Sequence, residues 1–333
     1  MDKLTAYYES PQLDRALARG RPEFFALGLG EFLQMDLPER QRILEPWLFE
    51  SSRNMVFSQR GVGKTYFALN CAYAVASGGE FLSYKAPKPR SVLYVDGEMP
   101  SQLMQERLAE IQSYAINSGM DADHVDAVEQ NFQLITPDLQ PPGQKRLNLT
   151  NPEHQETLEP FIEKADLVVL DNISTLMRGG QENEAASWEP VQDWALSTMQ
   201  GNCRTILWVH HAGKGGAQRG TSKREDDLDT VVQLKRPPDY RPEHGASFEV
   251  HFTKGRSTFG EDSKPIEARL TENEQGLLTW SYTHLEESTY NRVVDLANEG
   301  LKNFEIADEL QVDKSTVSRH ARKGVEQGDI RTR

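Results

Sequence analysis

Arg60-Gly61-Val62-Gly63-Lys64-Thr65 is the stretch whose reading decides the fold. A short apolar run, Met55-Val56-Phe57, precedes it, and a helical run from Tyr66 to Ala76 follows. Strand, glycine turn and helix N-terminus in that order gather backbone N–H groups around an anion. Ser58, Gln59, Arg60, Gly61, Val62, Gly63, Lys64 and Thr65 are therefore assigned to a phosphate-binding loop for ATP. Lys64 would reach the β- and γ-phosphates, and the Thr65 hydroxyl would ligate Mg²⁺. The strict pattern asks for glycine at position 58, where this chain has Ser58. Serine is small enough for the loop to close. A chance Gly-Lys-Thr turn is the alternative, and the flanking strand and helix argue against it.

The 333 residues carry 37% hydrophobic and 26% charged side chains, which suits one large α/β domain with smaller appendages. A formal net charge of −14 excludes a polyanion-binding protein by bulk electrostatics. Contacts to nucleic acid must come from local basic clusters. Cys71 and Cys203, the two cysteines, lack metal-type spacing and read as reduced thiols. The polar opening Met1-Asp-Lys-Leu-Thr is not a signal peptide, and no apolar run is of membrane-spanning length, so a cytoplasmic location without a membrane partner is expected.

Outward from the loop, strands and helices alternate. Strands are expected at 91–95, 132–135, 167–170 and 205–209, with helices at 101–118, 154–164 and 187–200. Ser101 is read as an N-cap, and 136–151, rich in Pro, Gly, Gln and Asn, as a loop. The continuous apolar run Leu167-Val-Val-Leu170 is the kind buried on both faces of a parallel sheet. Such alternation implies right-handed crossovers and a mostly parallel, doubly wound sheet. Further strands follow at 230–234, 247–252, 268–270 and 277–280. Residues 1–45 read as a helical arm whose apolar Phe32, Leu33 and Leu44 could pack on a neighbouring copy. Residues 46–285 form the α/β domain, and 286–333 a small all-α unit. In that unit Ile306, Ala307, Leu310, Val312 and Val317 are spaced for a helix-turn-helix, with or without a wing. Asp313 would cap its second helix, which presents Lys314, Ser315, Thr316, Arg319, Arg322 and Lys323. No acid lies between Lys314 and Lys323, a pattern suited to duplex DNA. A solvated helical face for protein contacts is the alternative.

Asp171 ends the 167–170 strand, where its carboxylate can share Mg²⁺ with Thr65. Asn172 follows, so the water-activating carboxylate must come from elsewhere. Val95-Asp-Gly-Glu-Met-Pro100 offers Glu98 just past the C-terminal edge of the sheet, with Asp96 as the competitor nearer the strand. With these parts the chain resembles a RecA/DnaB-type P-loop motor ATPase over roughly residues 45–260. It is most similar to the hexameric replicative helicases of mobilizable plasmids, the RepA-like ATPases of mobile elements. The resemblance implies a RecA-like fold, Glu98 as general base and His211 as a polar γ-phosphate sensor. It implies a glycine-rich channel loop whose Lys214, Arg219, Lys223 and Arg224 track single-stranded DNA. It also implies trans-acting fingers, Lys254 and Arg256, reaching a neighbour's ATP, and hence a homo-oligomer, six subunits in the closed case. The function expected is an ATP-driven DNA helicase or translocase in replication. The alternatives are an ATP-switched DNA-binding regulator or assembly factor, and a recombinase-like filament ATPase.

Overall fold

The structure is a computed structural model that describes residues 26–37, 39–177, 185–199, 203–213, 226–272, 276 and 278–330. In chain order the elements are α1 (Leu29–Leu33), β1 (Arg42–Leu44), β2 (Leu48–Phe49), β3 (Arg53–Ser58), α2 (Lys64–Ser77), β4 (Glu80–Phe81), β5 (Tyr84–Lys85), β6 (Val92–Asp96), α3 (Ser101–Asn117), α4 (Ala122–Asn131) and β7 (Phe132–Ile135). They continue with α5 (Pro152–Ile162), β8 (Leu167–Asp171), α6 (Ile173–Leu176), α7 (Ala185–Met199), β9 (Thr205–His211), β10 (Thr230–Lys235), β11 (Ser247–Gly255), β12 (Ile266–Glu272) and β13 (Leu278–His284). Three helices close the chain: α8 (Leu285–Glu299), α9 (Asn303–Glu309) and α10 (Lys314–Gln327).

Nine strands form one sheet in the order β13-β12-β11-β10-β3-β9-β8-β6-β7. The six from β10 to β7 are mutually parallel, and β11 to β13 extend the sheet antiparallel. The mostly parallel sheet expected from the alternating pattern is what the chain forms. Helices cover both faces, and the period-two geometry of a strand divides its side chains between two cores. Val56, Tyr94, Val169 and Leu207 pack with Phe67 and Leu69 of α2 on one face. Met55, Val95, Val168 and Trp208 pack with Leu158 of α5 and Trp188 of α7 on the other. Trp188 meets Trp208 edge-on, with ring centroids 5.0 Å apart. Truncating either to alanine would cost about 3–5 kcal/mol. Helix α2 is apolar on every side because sheet and helices enclose it; all of its residues but Thr65 are buried.

The strand register sets out the site. Ser58 pairs with His211, Asp171 with Val209, and Asp96 with Asp171. The C-terminal ends of β3, β9, β8 and β6 thus finish level with one another.

Several details differ from the sequence expectations. Helix α4 was not anticipated, since only its N-cap Asp121, accepting from the His124 N–H, marks a polar, weakly periodic stretch. Pro100, not Ser101, holds the cap position of α3. The Ser101 N–H and hydroxyl instead bind Asp138 from the 136–151 loop. Asp313 does sit at the N-cap of α10, but through its backbone carbonyl, with no side-chain cap bond. Among the described residues the arm holds one short helix, α1, and its last residues are strand: β1 pairs with β2 across the expected boundary at 45. Leu44 is fully buried in the core on the α2 face of the sheet, whereas Phe32 and Leu33 are exposed. Leu44 therefore packs on its own chain and is not free to meet a neighbour. No described helix is long and apolar enough to cross a membrane.

Candidate nucleotide site

A cleft of about 850 Å³ opens at the C-terminal edge of the parallel strands, lined by Gly61, Lys64, Thr65, Glu98, Asp171 and His211 among others. The loop turns through Gly61 at φ +77° and Gly63 at φ +119°, conformations that L side chains rarely adopt. A Cβ on Gly63 would also lie 3.3 Å from the Phe248 ring. Ser58 is tolerated where the pattern asks for glycine because it is still strand and has no positive φ. Its hydroxyl donates to the Gln59 carbonyl at 2.8 Å, and its own carbonyl accepts from Ala212 N–H at 2.7 Å.

Lys64 starts α2 and is buried, with Nζ 3.4 Å from the Gln59 carbonyl. Burial lowers its pKa, while Asp171 and Glu98 pull the other way. Asp171 is buried, which raises its pKa against hydrogen bonds from the Tyr94 and Thr65 hydroxyls. Thr65 and Asp171 thus bring a hydroxyl and a carboxylate to the same cleft, an all-oxygen set that suits Mg²⁺. Among the described residues no group of three or more His, Cys, Asp or Glu side chains could hold a metal alone. An ion here would complete its shell from phosphate oxygens and water.

Asp96 and Glu98, the two rival carboxylates, have separate environments. Asp96 is buried and accepts the backbone N–H groups of Met99 at 2.7 Å and Glu98 at 3.3 Å, which folds the turn. Desolvation and neighbouring Asp171 push its pKa up to about 7. Glu98 projects into the cleft with its side chain 60% exposed, and its Oε2 lies 3.9 Å from His211 Nε2. That exposure lets Glu98, rather than Asp96, meet a water. His211 is the last residue of β9, and His210 beside it is buried in the sheet.

Lys254 and Arg256 are elsewhere. Gly255 pairs with Thr230, and Thr230 with Asn54 near the start of β3. The phosphate loop leaves the far end of that strand, roughly 13 Å of extended chain away. Both side chains donate to the Asp226 carbonyl, Lys254 at 2.9 Å and Arg256 at 3.0 Å. They do not line their own cleft. The expected channel residues Lys214, Arg219, Lys223 and Arg224 lie outside the described residues. On α10, Val317, His320 and Gly324 face inward, and the other side carries Lys314, Ser315, Thr316, Arg319, Arg322 and Lys323. Three of these cations have neighbours: Arg319 lies 3.6 Å from Glu286, Arg322 3.9 Å from Glu326, and Lys323 over the Tyr290 ring.

Three residues that contact the cleft's side chains or loop escaped the sequence reading. Asn172 Nδ2 donates to Glu98 Oε2 at 2.5 Å. Tyr94 contacts Asp171 from the neighbouring strand. Arg236, just past β10, donates to the Gly61 carbonyl at 2.7 Å and stacks on Tyr240. Asn172 had a signal in its place after Asp171; the other two contacts depend on strand order alone.

The fold is similar to the crystal structure of the RadB recombinase, with a TM-score of 0.45 and 15% identity, covering 69% of this chain and 90% of that one. A model of the AAA domain family matches residues 21–217, more than half of the chain, and the chain belongs to that family as a P-loop ATPase.

Proposed function

We propose that this protein is an oligomeric, ATP-hydrolysing DNA helicase or translocase of a mobile genetic element, acting in replication. The observation that carries the reading is the separation of Lys254 and Arg256 from their own cleft. A cationic pair at the opposite sheet edge cannot reach its own triphosphate, which supports a role at the cleft of an adjacent copy. In this reading Lys64 and the loop N–H groups hold the phosphates, and Thr65 and Asp171 hold Mg²⁺. Glu98 takes the proton of the attacking water, and His211 hydrogen-bonds the γ-phosphate. Lys254 and Arg256 of an adjacent copy neutralise charge developing on that phosphate. Single-stranded DNA would run along the 214–224 segment of each subunit in a hexameric ring.

A second reading, an ATP-switched DNA-binding regulator or assembly factor, is favoured by one feature. The basic outer face of α10 suits duplex DNA, with α9 and α10 as a helix-turn-helix. A recombinase-like filament shares the ATPase chemistry but leaves the ring open. Strand displacement on a tailed duplex separates them. The helicase unwinds with ATP and stops unwinding as Lys64→Ala. A regulator or filament hydrolyses ATP without displacing the strand, and a mass measurement with ATP and single-stranded DNA tells ring from filament. Glu98→Gln should bind ATP yet fail to turn it over; full turnover in that variant refutes the base assignment.

A further inference from the structure

Asn172 does two things at once. Its Oδ1 accepts the Thr175 backbone N–H at 3.2 Å, capping α6, and the Thr175 hydroxyl lies 3.4 Å from the Asn172 N–H in return. With its oxygen committed to the cap, the amide's other end has one orientation, and Nδ2 donates to Glu98 Oε2. The cap therefore determines which atom Glu98 meets. The side chain is buried, so water does not compete well for that donor.

The turn that carries Glu98 docks on the same helix. Gly97 N–H donates to the Asp171 carbonyl at 2.8 Å. A Cβ on Gly97 would fall 2.6 Å from Thr175 Oγ1 and 2.8 Å from Leu176 Cδ2. Backbone and side chain of the Asp96–Met99 turn are thus both referenced to the start of α6. Glu98 has little else to hold it, since His211 is 3.9 Å away and most of the carboxylate side is open.

We infer that Asn172 is a positioning residue for hydrolysis: it aims the Glu98 carboxylate at the attacking water through the α6 cap. The inference rests on the reading of Glu98 as general base. An exposed glutamate samples several rotamers, and one charge-assisted bond selects among them. A base misplaced by an ångström costs catalysis without costing substrate binding.

The test separates positioning from capping. Asn172→Asp keeps a capping oxygen for Thr175 but replaces the donor with a like charge facing Glu98. Asn172→Ser keeps a capping oxygen but is too short to reach Glu98. For the full chain with magnesium and ATP, both should keep KM within about twofold while kcat falls by roughly 10- to 100-fold. Melting temperatures near wild type, expected for both, identify the loss as catalytic. Neither substitution should lower the residual rate of Glu98→Gln further. Wild-type kcat in either cap-competent, folded variant, with Glu98→Gln inactive, overturns the positioning role and leaves the base assignment standing. Losses of the same size in the Glu98→Gln background also overturn it. An active Glu98→Gln protein overturns both.

Discussion

The Tyr94 hydroxyl donates a 2.7 Å hydrogen bond to Oδ2 of Asp171, across the adjacent parallel strands β6 and β8. That bond holds the direction of the buried carboxylate before any ion arrives. Such outer contacts orient metal ligands, and their loss typically costs ten- to a hundredfold in metal affinity or activity. Tyr94→Phe should therefore shift the magnesium titration of ATP hydrolysis to higher concentration by roughly 10-fold or more. An unchanged magnesium midpoint would mean that the tyrosine serves packing alone.

Asp96 gives stability a pH dependence of defined sign. Its carboxyl is raised from 3.8 to about 7 by burial and by Asp171, so the folded chain holds a proton that the unfolded chain releases. Stability from this group is then highest at low pH, declines as pH rises from about 4 to about 7, and levels off above. Asp96→Asn keeps an acceptor for the turn but cannot ionise. In protein free of nucleotide and magnesium, the wild type should lose melting temperature relative to this variant between pH 5 and about 7. Parallel melting curves across that range would contradict the assignment.

Arg256→Ala should hydrolyse little ATP alone, as should Lys64→Ala. Mixed before assembly, the two should recover part of the wild-type rate, because some interfaces join an intact cleft to an intact finger. Recovery absent in subunits shown to exchange would remove the finger role.

Arg292 ties the C-terminal helices to the sheet, donating at 2.7 Å to Glu267 and at 2.8 Å to Asp239. Burial pushes the Glu267 carboxyl up, but the Ser288, Arg292 and Arg269 bonds outweigh it and hold the pKa below the ordinary value. Removing one partner of a buried charge is costly, and Arg269 remains to share the load. Arg292→Ala should destabilise the protein by about 1–3 kcal/mol, with proteolysis appearing first near residues 285–300. Unchanged melting and digestion would show the tether to be idle.

Much of the site was readable in order along the chain. Lys64, Thr65, Glu98, Asp171 and His211 each follow an apolar run that ends at the same sheet edge, so strand endings located them. The different settings of Asp96 and Glu98 were also legible, since two residues of turn carry Glu98 past the edge. Asn172, Tyr94 and Arg236 were not, because their partners lie 74, 77 and 175 residues away. Leu44 was misread for the same reason. Its hydrophobicity was plain, but whether it faced a neighbour or its own core depended on a hairpin.

What the sequence by itself determined is therefore the local chemistry: a glycine turn between strand and helix, apolar runs that must be buried on both faces, and carboxylates at their ends. These follow from short-range geometry, where a few consecutive residues dictate conformation and exposure. What only the tertiary structure decided is which strand lies beside which. That order seats Tyr94 on Asp171, turns the Asn172 amide onto Glu98, and carries Lys254 and Arg256 to the edge away from their own cleft. Strand order comes from burying two helix layers against one twisted sheet, a condition on the whole chain that no short segment records.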